Sequence, residues 1–372
     1  MIVLNEKFVL CIKKTNTIVM PSSEQKPADK TIETILVRLQ WIVGIVATGV
    51  FLMLALLVKS FFQFPHSASN LSAIDKKFIK IDTNFVSLWT APSDWRMDRL
   101  TKEEKEKVQY GRELIAHTAR YLGPNGSVRH MSNGMNCQNC HLQAGTQPWG
   151  NNYFAVYATY PRFRARSGSK ESIVKRVNDC LERSLNGKAL DSTSYEMQAI
   201  KAYIKWLGTD VPKKVSPKGT GVFKLKYLVR AADPEKGRIV YENSCQSCHQ
   251  SGGQGVMAAD GKTYTYPPLW GEHSYNTGAG LFRVSMFAGY VKYNMPLGTT
   301  YQKPKLSDEE AWDVAAFVNS MPRPTKDLSA DWPDIAKKPI DHPFGPYTDS
   351  FSEQQHKYGP FKPIKQWYDK KM

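Results

Sequence analysis

The sequence predicts an all-α protein made of two tandem copies of one small helical unit. Three observations predict it. The motif Cys-x-x-Cys-His occurs twice, as Cys137-Gln138-Asn139-Cys140-His141 and as Cys245-Gln246-Ser247-Cys248-His249. A helix-like run with a Gly-Arg pair precedes each copy, residues 102–122 with Gly111-Arg112 and residues 234–242 with Gly237-Arg238. An amphipathic helix closes each unit, residues 196–207 and 310–321. In these, Ile200 matches Val314 and Tyr203 matches Phe317 along the apolar face. First helix, motif, loops and closing helix, in that order and duplicated, is the pattern of two tandem cytochrome c-like domains.

Each motif reads as a c-type haem attachment site. Two thiols add across the haem vinyl groups and the adjacent His supplies an axial ligand to iron. Cys137, Cys140 and His141 would hold one covalently bound haem c, and Cys245, Cys248 and His249 a second. Of the six cysteines, Cys11 and Cys180 are left over. Covalent haem attachment implies export, so the haem domains face an oxidising compartment.

The elements follow in order. Residues 1–40 form a cytoplasmic N-terminal segment, in which Met20 is an alternative start. Residues 41–58 are eighteen positions without a charge, flanked by Lys30 and Arg38 before and Lys59 after. That length suits a membrane-spanning anchor more than the apolar region of a signal peptide, and basic residues before it place the N-terminus inside. A cleaved signal, processed near 67–69 or 71–73, is the alternative. Either way the exported part lies on the periplasmic side of the cytoplasmic membrane, and Cys11 cannot pair with Cys180. Residues 59–100 are a linker and N-terminal extension, 101–210 the first cytochrome domain, 211–232 a second linker, and 233–321 the second domain. Residues 322–372, rich in Pro and aromatics, read as an irregular C-terminal tail wrapped over both.

Net charge is +16, of which +14 belongs to the exported part once the six Lys/Arg and four Asp/Glu of residues 1–58 are set aside. For an exported chain that excludes nucleic acid as the partner and points to anionic substrates, acidic proteins or an anionic membrane surface.

A low-spin haem needs a second axial ligand. In the second unit Met295, followed by Pro296, lies 46 residues past His249, where proline enforces an extended approach. Thioether ligation there raises the potential. Met257 and Met286 compete, but Met286 falls in an apolar run. The first unit has no such loop. Its candidate is Cys180, on a helix from about Ser169, its N-cap, to about Leu185, ended by Asn186-Gly187. Arg176, Cys180 and Ser184 are four apart and share a face. A buried inert thiol is the alternative, although an unpaired thiol is an odd thing to keep in an oxidising compartment. Upstream, Arg162, Arg164 and Arg166 alternate, so an extended segment would present all three on one side, as an anion site, a propionate-binding strand or a solvated basic strand.

The stretch from about Trp89 to the C-terminus resembles the dihaem thiosulfate dehydrogenase family. Its most specific element is Asn178-Asp179-Cys180 through Ser184 and Gly187 between two haem motifs, with the tail Lys338-Pro-Ile-Asp-His-Pro-Phe-Gly-Pro-Tyr. The resemblance implies that the first haem is the active site, ligated by His141 and Cys180, with Arg166, Arg176 and Ser184 holding substrate. The second, ligated by His249 and Met295, would relay electrons to an exported cytochrome or similar acceptor. Some members carry Lys immediately before this Met and exchange the two with redox state. Asn294 occupies that position here, which implies His/Met ligation in both states, with Lys292 a weaker substitute. The implied reaction joins two thiosulfate ions into tetrathionate and releases two electrons, or runs in reverse. Two dianions about 4 Å apart repel by roughly 4 kcal/mol even in bulk water, which gives a cluster of arginines a purpose. Two rival readings are a membrane-tethered dihaem electron carrier without a substrate, and a dihaem peroxidase using His117 or His130 as acid/base.

Overall fold

Two helix crossings, each made possible by a glycine, organise the molecule. The computed structural model describes residues 29–62, 89, 91–92 and 94–371. Helix α1, Asp29–Phe62, belongs to a unit spanning residues 1–80, and the remainder, residues 81–372, forms a second compact unit. The helix runs past both ends of the uncharged stretch, and the window Val37–Leu54 is long and apolar enough to cross a membrane. Cys11, Met20 and both processing sites lie outside the described residues.

In the second unit, α2 (Lys102–Ala116) opens with a capping box in which Thr101 and Glu104 satisfy each other's backbone N–H groups. It breaks at His117 and resumes as a single turn, Thr118–Leu122. At the break the Thr118 hydroxyl donates to the Leu114 carbonyl and accepts the backbone N–H of Cys137 at 2.9 Å, tying the helix end to the first motif. The chain then forms a hairpin, β1 (Arg162–Arg164) against β2 (Ser169–Glu171). Helix α3 (Ile173–Arg183) follows with Ser172 as its N-cap, accepting from the Lys175 N–H at 3.2 Å. Ser169, expected as the cap, is instead consumed by the hairpin. Helix α4 (Tyr195–Leu207) closes the first half.

The second half repeats this with α5 (Pro234–Ser244), whose Pro occupies the first turn where no N–H is needed. A small hairpin, β3 (Val256–Met257) with β4 (Tyr264–Tyr266), precedes α6 (Val284–Asn294) and α7 (Asp308–Ser320). The two hairpins are the only strands among the described residues, a small departure from an all-α fold.

Helix α2 crosses α4, and α5 crosses α7, at the glycine of each Gly-Arg pair. A Cβ at Gly111 would lie 2.0 Å from the Ala199 carbonyl oxygen, and one at Gly237 would lie 1.9 Å from that of Asp313. The matched residues Tyr203 and Phe317 flank those contacts. Mid-helix glycine costs about 1 kcal/mol against alanine, and backbone contact with burial of Leu114, Ile115, Ile204 and Leu207, or of Tyr241, Trp312, Val314 and Val318, more than offsets it.

Residues 211–232 are packed rather than loose. Gly219 and Gly221 carbonyls accept from Trp149 and Asn151, and the Phe223 carbonyl lies where a Cβ on Gly289 would be. Farther along, Arg230 forks onto the Asp313 carboxylate at 2.7 and 2.8 Å. The tail is also more ordered than its composition suggests. It ends in α8 (Glu353–Tyr358) and α9 (Phe361–Asp369), whose Phe361 and Ile364 are buried, Phe361 against Trp312 and Tyr227. Phe361, Ile364 and Tyr368 share one face, a stripe too short to stand out as a period among the surrounding prolines.

Candidate active site

The first motif begins in a single 3-10 turn, Cys137–Asn139. Asn136 ends the preceding loop by accepting the Ala119 N–H and donating its own to the Asn139 side chain. Past His141 the backbone adopts left-handed angles at Gln143, Ala144, Trp149 and Asn151. That winding brings the Asn151 carbonyl onto His141 Nδ1, which donates to it. The ring stacks on Tyr153, with centroids 4.5 Å apart, and Gly145 leaves room for that ring because a Cβ there would meet it at 2.1 Å. With Nδ1 committed to a carbonyl, Nε2 carries the free lone pair. Burial above all pushes the imidazole down to about 4, so it is neutral, as a metal-ligating His must be.

Cys137, Cys140 and His141 line a cavity of about 230 Å³ together with Cys180, Arg176 and Ser184 from α3 and Arg162 and Arg164 from β1. The Arg176 guanidinium donates to Cys180 Sγ at 3.0 Å. That sulfur, more than any other neighbour, keeps Arg176 charged against the burial that opposes it. Ser184 caps α3, its N–H on the Cys180 carbonyl at 2.8 Å. Burial first, then the nearby Arg176 and Arg162, draw Arg164 below its ordinary value. Among the described residues no carboxylate lines this cavity.

Arg166 is placed elsewhere. The extended run ends at Arg164, and Arg166 falls in the turn to β2, so the three arginines do not share a side. Its guanidinium donates to the Gly278 carbonyl at 2.8 Å and lies 3.9 Å from Asp331, over the Trp332 ring. Burial first, then Arg183, push it down to about 10. Neither His117 nor His130 lines a motif cavity.

The second motif lines a cavity of about 380 Å³ with Met295 and Pro296. His249 repeats the arrangement of His141, its Nδ1 donating to the Pro267 carbonyl at 2.8 Å, and burial lowers its basicity. Met295 ends α6 in an extended conformation. Met257 and Met286 do not line this cavity. Asn294 accepts from the Gln147 side chain at 2.7 Å and donates to the Trp149 and Tyr290 carbonyls. Lys292 is occupied by the Leu306 carbonyl and Asp308. Both residues are thus engaged away from the cavity. Sequence reasoning missed the wall between the two cavities. Asn136 and Cys140 line both, and the buried Tyr290 hydroxyl donates to the Asn139 carbonyl at 2.9 Å. Only long-range contacts reveal it.

The four motif cysteines are free of disulfides and each pair lines a cavity with its own His, so both sites fit a thioether-bound haem. Residues 127–212 match the family "SoxA/TsdA, cytochrome c domain" and residues 234–322 match "Cytochrome c". The chain is 38% identical over 231 residues to a thiosulfate dehydrogenase of Psychrobacter arcticus, spanning 66% of that protein and 61% of its own length. It is 39% identical over 218 residues to one of Allochromatium vinosum, spanning 79% of it and 57% of this chain. A solved thiosulfate dehydrogenase (TsdBA) from Marichromatium purpuratum, in its as-isolated form, superposes with a TM-score of 0.58 at 31% identity, over 64% of this chain and half of that one. Two haem c groups, one per motif, and the matched length of these relatives lead to one assignment: the chain belongs to the thiosulfate dehydrogenase family.

Proposed function

We propose that the first cavity joins two thiosulfate ions into tetrathionate with Cys180 as the nucleophile, and that the second centre passes the electrons on to an exported cytochrome or similar carrier. The contact between Arg176 and Cys180, inside the cavity that holds the first motif, carries this reading. Cys137, Cys140, His141 and Cys180 would hold one haem c, and Cys245, Cys248, His249 and Met295 the other; when bound, these groups would supply one-electron acceptors. Arg176, which donates to Cys180 Sγ, offers with the Ser184 hydroxyl donors to the sulfonate oxygens of a bound thiosulfate. Cys180 sulfur bonds to the sulfane sulfur of one thiosulfate as two electrons leave. The second thiosulfate then attacks that sulfane sulfur, the Cys180–sulfur bond breaks, and tetrathionate departs while Cys180 returns to thiolate. Arg166 acts from behind the cavity by fixing the turn that follows β1. Helix α1, with Lys30 and Arg38 toward its N-terminal end, would anchor the exported part at the periplasmic face of the membrane.

The test is tetrathionate formation by the haem-loaded protein with an artificial one-electron acceptor, beside Cys180→Gly. Turnover should vanish in the variant with both haems still attached, and activity retained there would overturn the mechanism. Running the assay with tetrathionate and a reductant reads the reverse direction at the same site.

A further inference from the structure

Two anions must meet in the first cavity, and its cations come in two groups on two different elements. Arg176, with Cys180 and Ser184, comes from α3. Arg162 and Arg164 come from β1, two residues apart on a strand, so their side chains leave on the same side, and both line the cavity. The strand is held in register by β2, with Arg162 opposite Glu171 and Arg164 opposite Ser169. Glu171 is buried, and one of its carboxylate oxygens accepts from the Ser167 hydroxyl at 2.7 Å. The other lies 3.9 Å from Arg164 Nε and has no hydrogen bond. It offsets the charge of Arg164 without occupying its N–H groups. Arg162 is exposed and lies over the Tyr160 ring at 5.3 Å. Among the described residues neither guanidinium is hydrogen-bonded to another protein group. Two cations whose N–H groups no described protein residue occupies, in a cavity that no carboxylate lines among the described residues, are a site for an oxyanion.

We propose that Arg162 and Arg164 form a second sulfonate-binding subsite, which holds the incoming thiosulfate while Arg176 and Ser184 hold the one bonded to Cys180. This rests on the reading above and deepens it. In the second step the incoming sulfane sulfur forms its bond as the bond from Cys180 breaks, and no electrons are exchanged. The subsite's arginines offset the repulsion between the incoming dianion and the bound sulfonate.

The test takes the haem-loaded full chain with Arg162→Gln and Arg164→Gln, thiosulfate and an artificial one-electron oxidant. Two quantities are read: the rate of tetrathionate release, and the fraction of Cys180 carrying a thiosulfate, by mass spectrometry of acid-quenched protein. Losing one charge-assisted contact should lower kcat/KM roughly ten- to hundredfold. The adduct fraction should rise, because release is the step slowed. Arg164→Lys should restore part of the rate, since it returns the charge without the fork. If adduct and rate fall together, these arginines serve the first thiosulfate and the proposal is overturned. An unchanged rate overturns it too. Should Arg164→Gln fail to fold beside buried Glu171, Arg162→Gln at its exposed position carries the same test. A failure of the parent reading looks different: no adduct on Cys180 in the unsubstituted protein, with turnover surviving Cys180→Gly.

Discussion

The two motif cavities share a scaffold and differ in what lines them. Each places its His Nδ1 on a backbone carbonyl, Asn151 in one and Pro267 in the other, behind a pair of helices crossing at a glycine. The first is then lined by three arginines, two serines and an extra cysteine. Among the described residues the second is lined by no Asp, Glu, Lys or Arg, only by residues such as Met295, Leu281, Phe287 and Val291 beside neutral polar groups. The contrast agrees with the division of work proposed above, in which the first cavity takes the anions and the second centre passes electrons on. The two units differ in their lining, not in their frame.

Breaking the shared frame should have the largest effect. Gly111→Ala and Gly237→Ala each drive a methyl group into facing backbone, and each should cost about 3 kcal/mol or more, read as a fall in the midpoint of chemical unfolding. If one crossing tolerates alanine, the two halves are less alike than their geometry. The tail gives a pH test of the scaffold. His342 is buried with Nδ1 on the Phe344 carbonyl, and burial above all, with Lys338, Arg166 and Arg283 nearby, pushes it down to about 4. An unfolded His titrates near 6.5, so between roughly 6.5 and 4 the unfolded chain binds the extra proton. Stability is therefore complete above 6.5 and declines as pH falls toward 4, by an amount on the order of 3 kcal/mol. His342→Gln should flatten that acid limb in pH-dependent melting. Sharpening the contrast between linings, Arg176→Gln should lower kcat/KM for thiosulfate roughly ten- to hundredfold and leave the optical signature of the second haem unchanged. Loss of that signature would mean the two linings are not independent. Last, Tyr290→Phe strands the Asn139 carbonyl in the common wall and should cost about 1 kcal/mol in thermal stability.

Much of this was legible in the chain. The motifs identify the haem sites because covalent attachment demands that local spacing. The Gly-Arg pairs and the matches of Ile200 with Val314 and Tyr203 with Phe317 locate both helix crossings. Cys180, Arg176 and Ser184 come together because a helix fixes residues four apart on one face. The shared side expected of Arg162, Arg164 and Arg166 was misread because alternation says nothing about where a strand stops, and the turn after Arg164 is set by pairing with Ser169–Glu171. The helix start moved from Ser169 to Ser172 for the same reason. The tail helices were hidden because their stability comes from docking Phe361 and Ile364 onto α7 and its surroundings, not from local preference.

The wall made by residues 136–140 belongs to both halves, and it constrains how such proteins can be recombined. A chimera that exchanged one cytochrome unit for a relative's would import a foreign partner for Tyr290 at Asn139 and for Asn294 at Gln147 and Trp149. The unit of inheritance is therefore the pair of domains with its loop after the first motif, and grafts should succeed only when that seam travels intact.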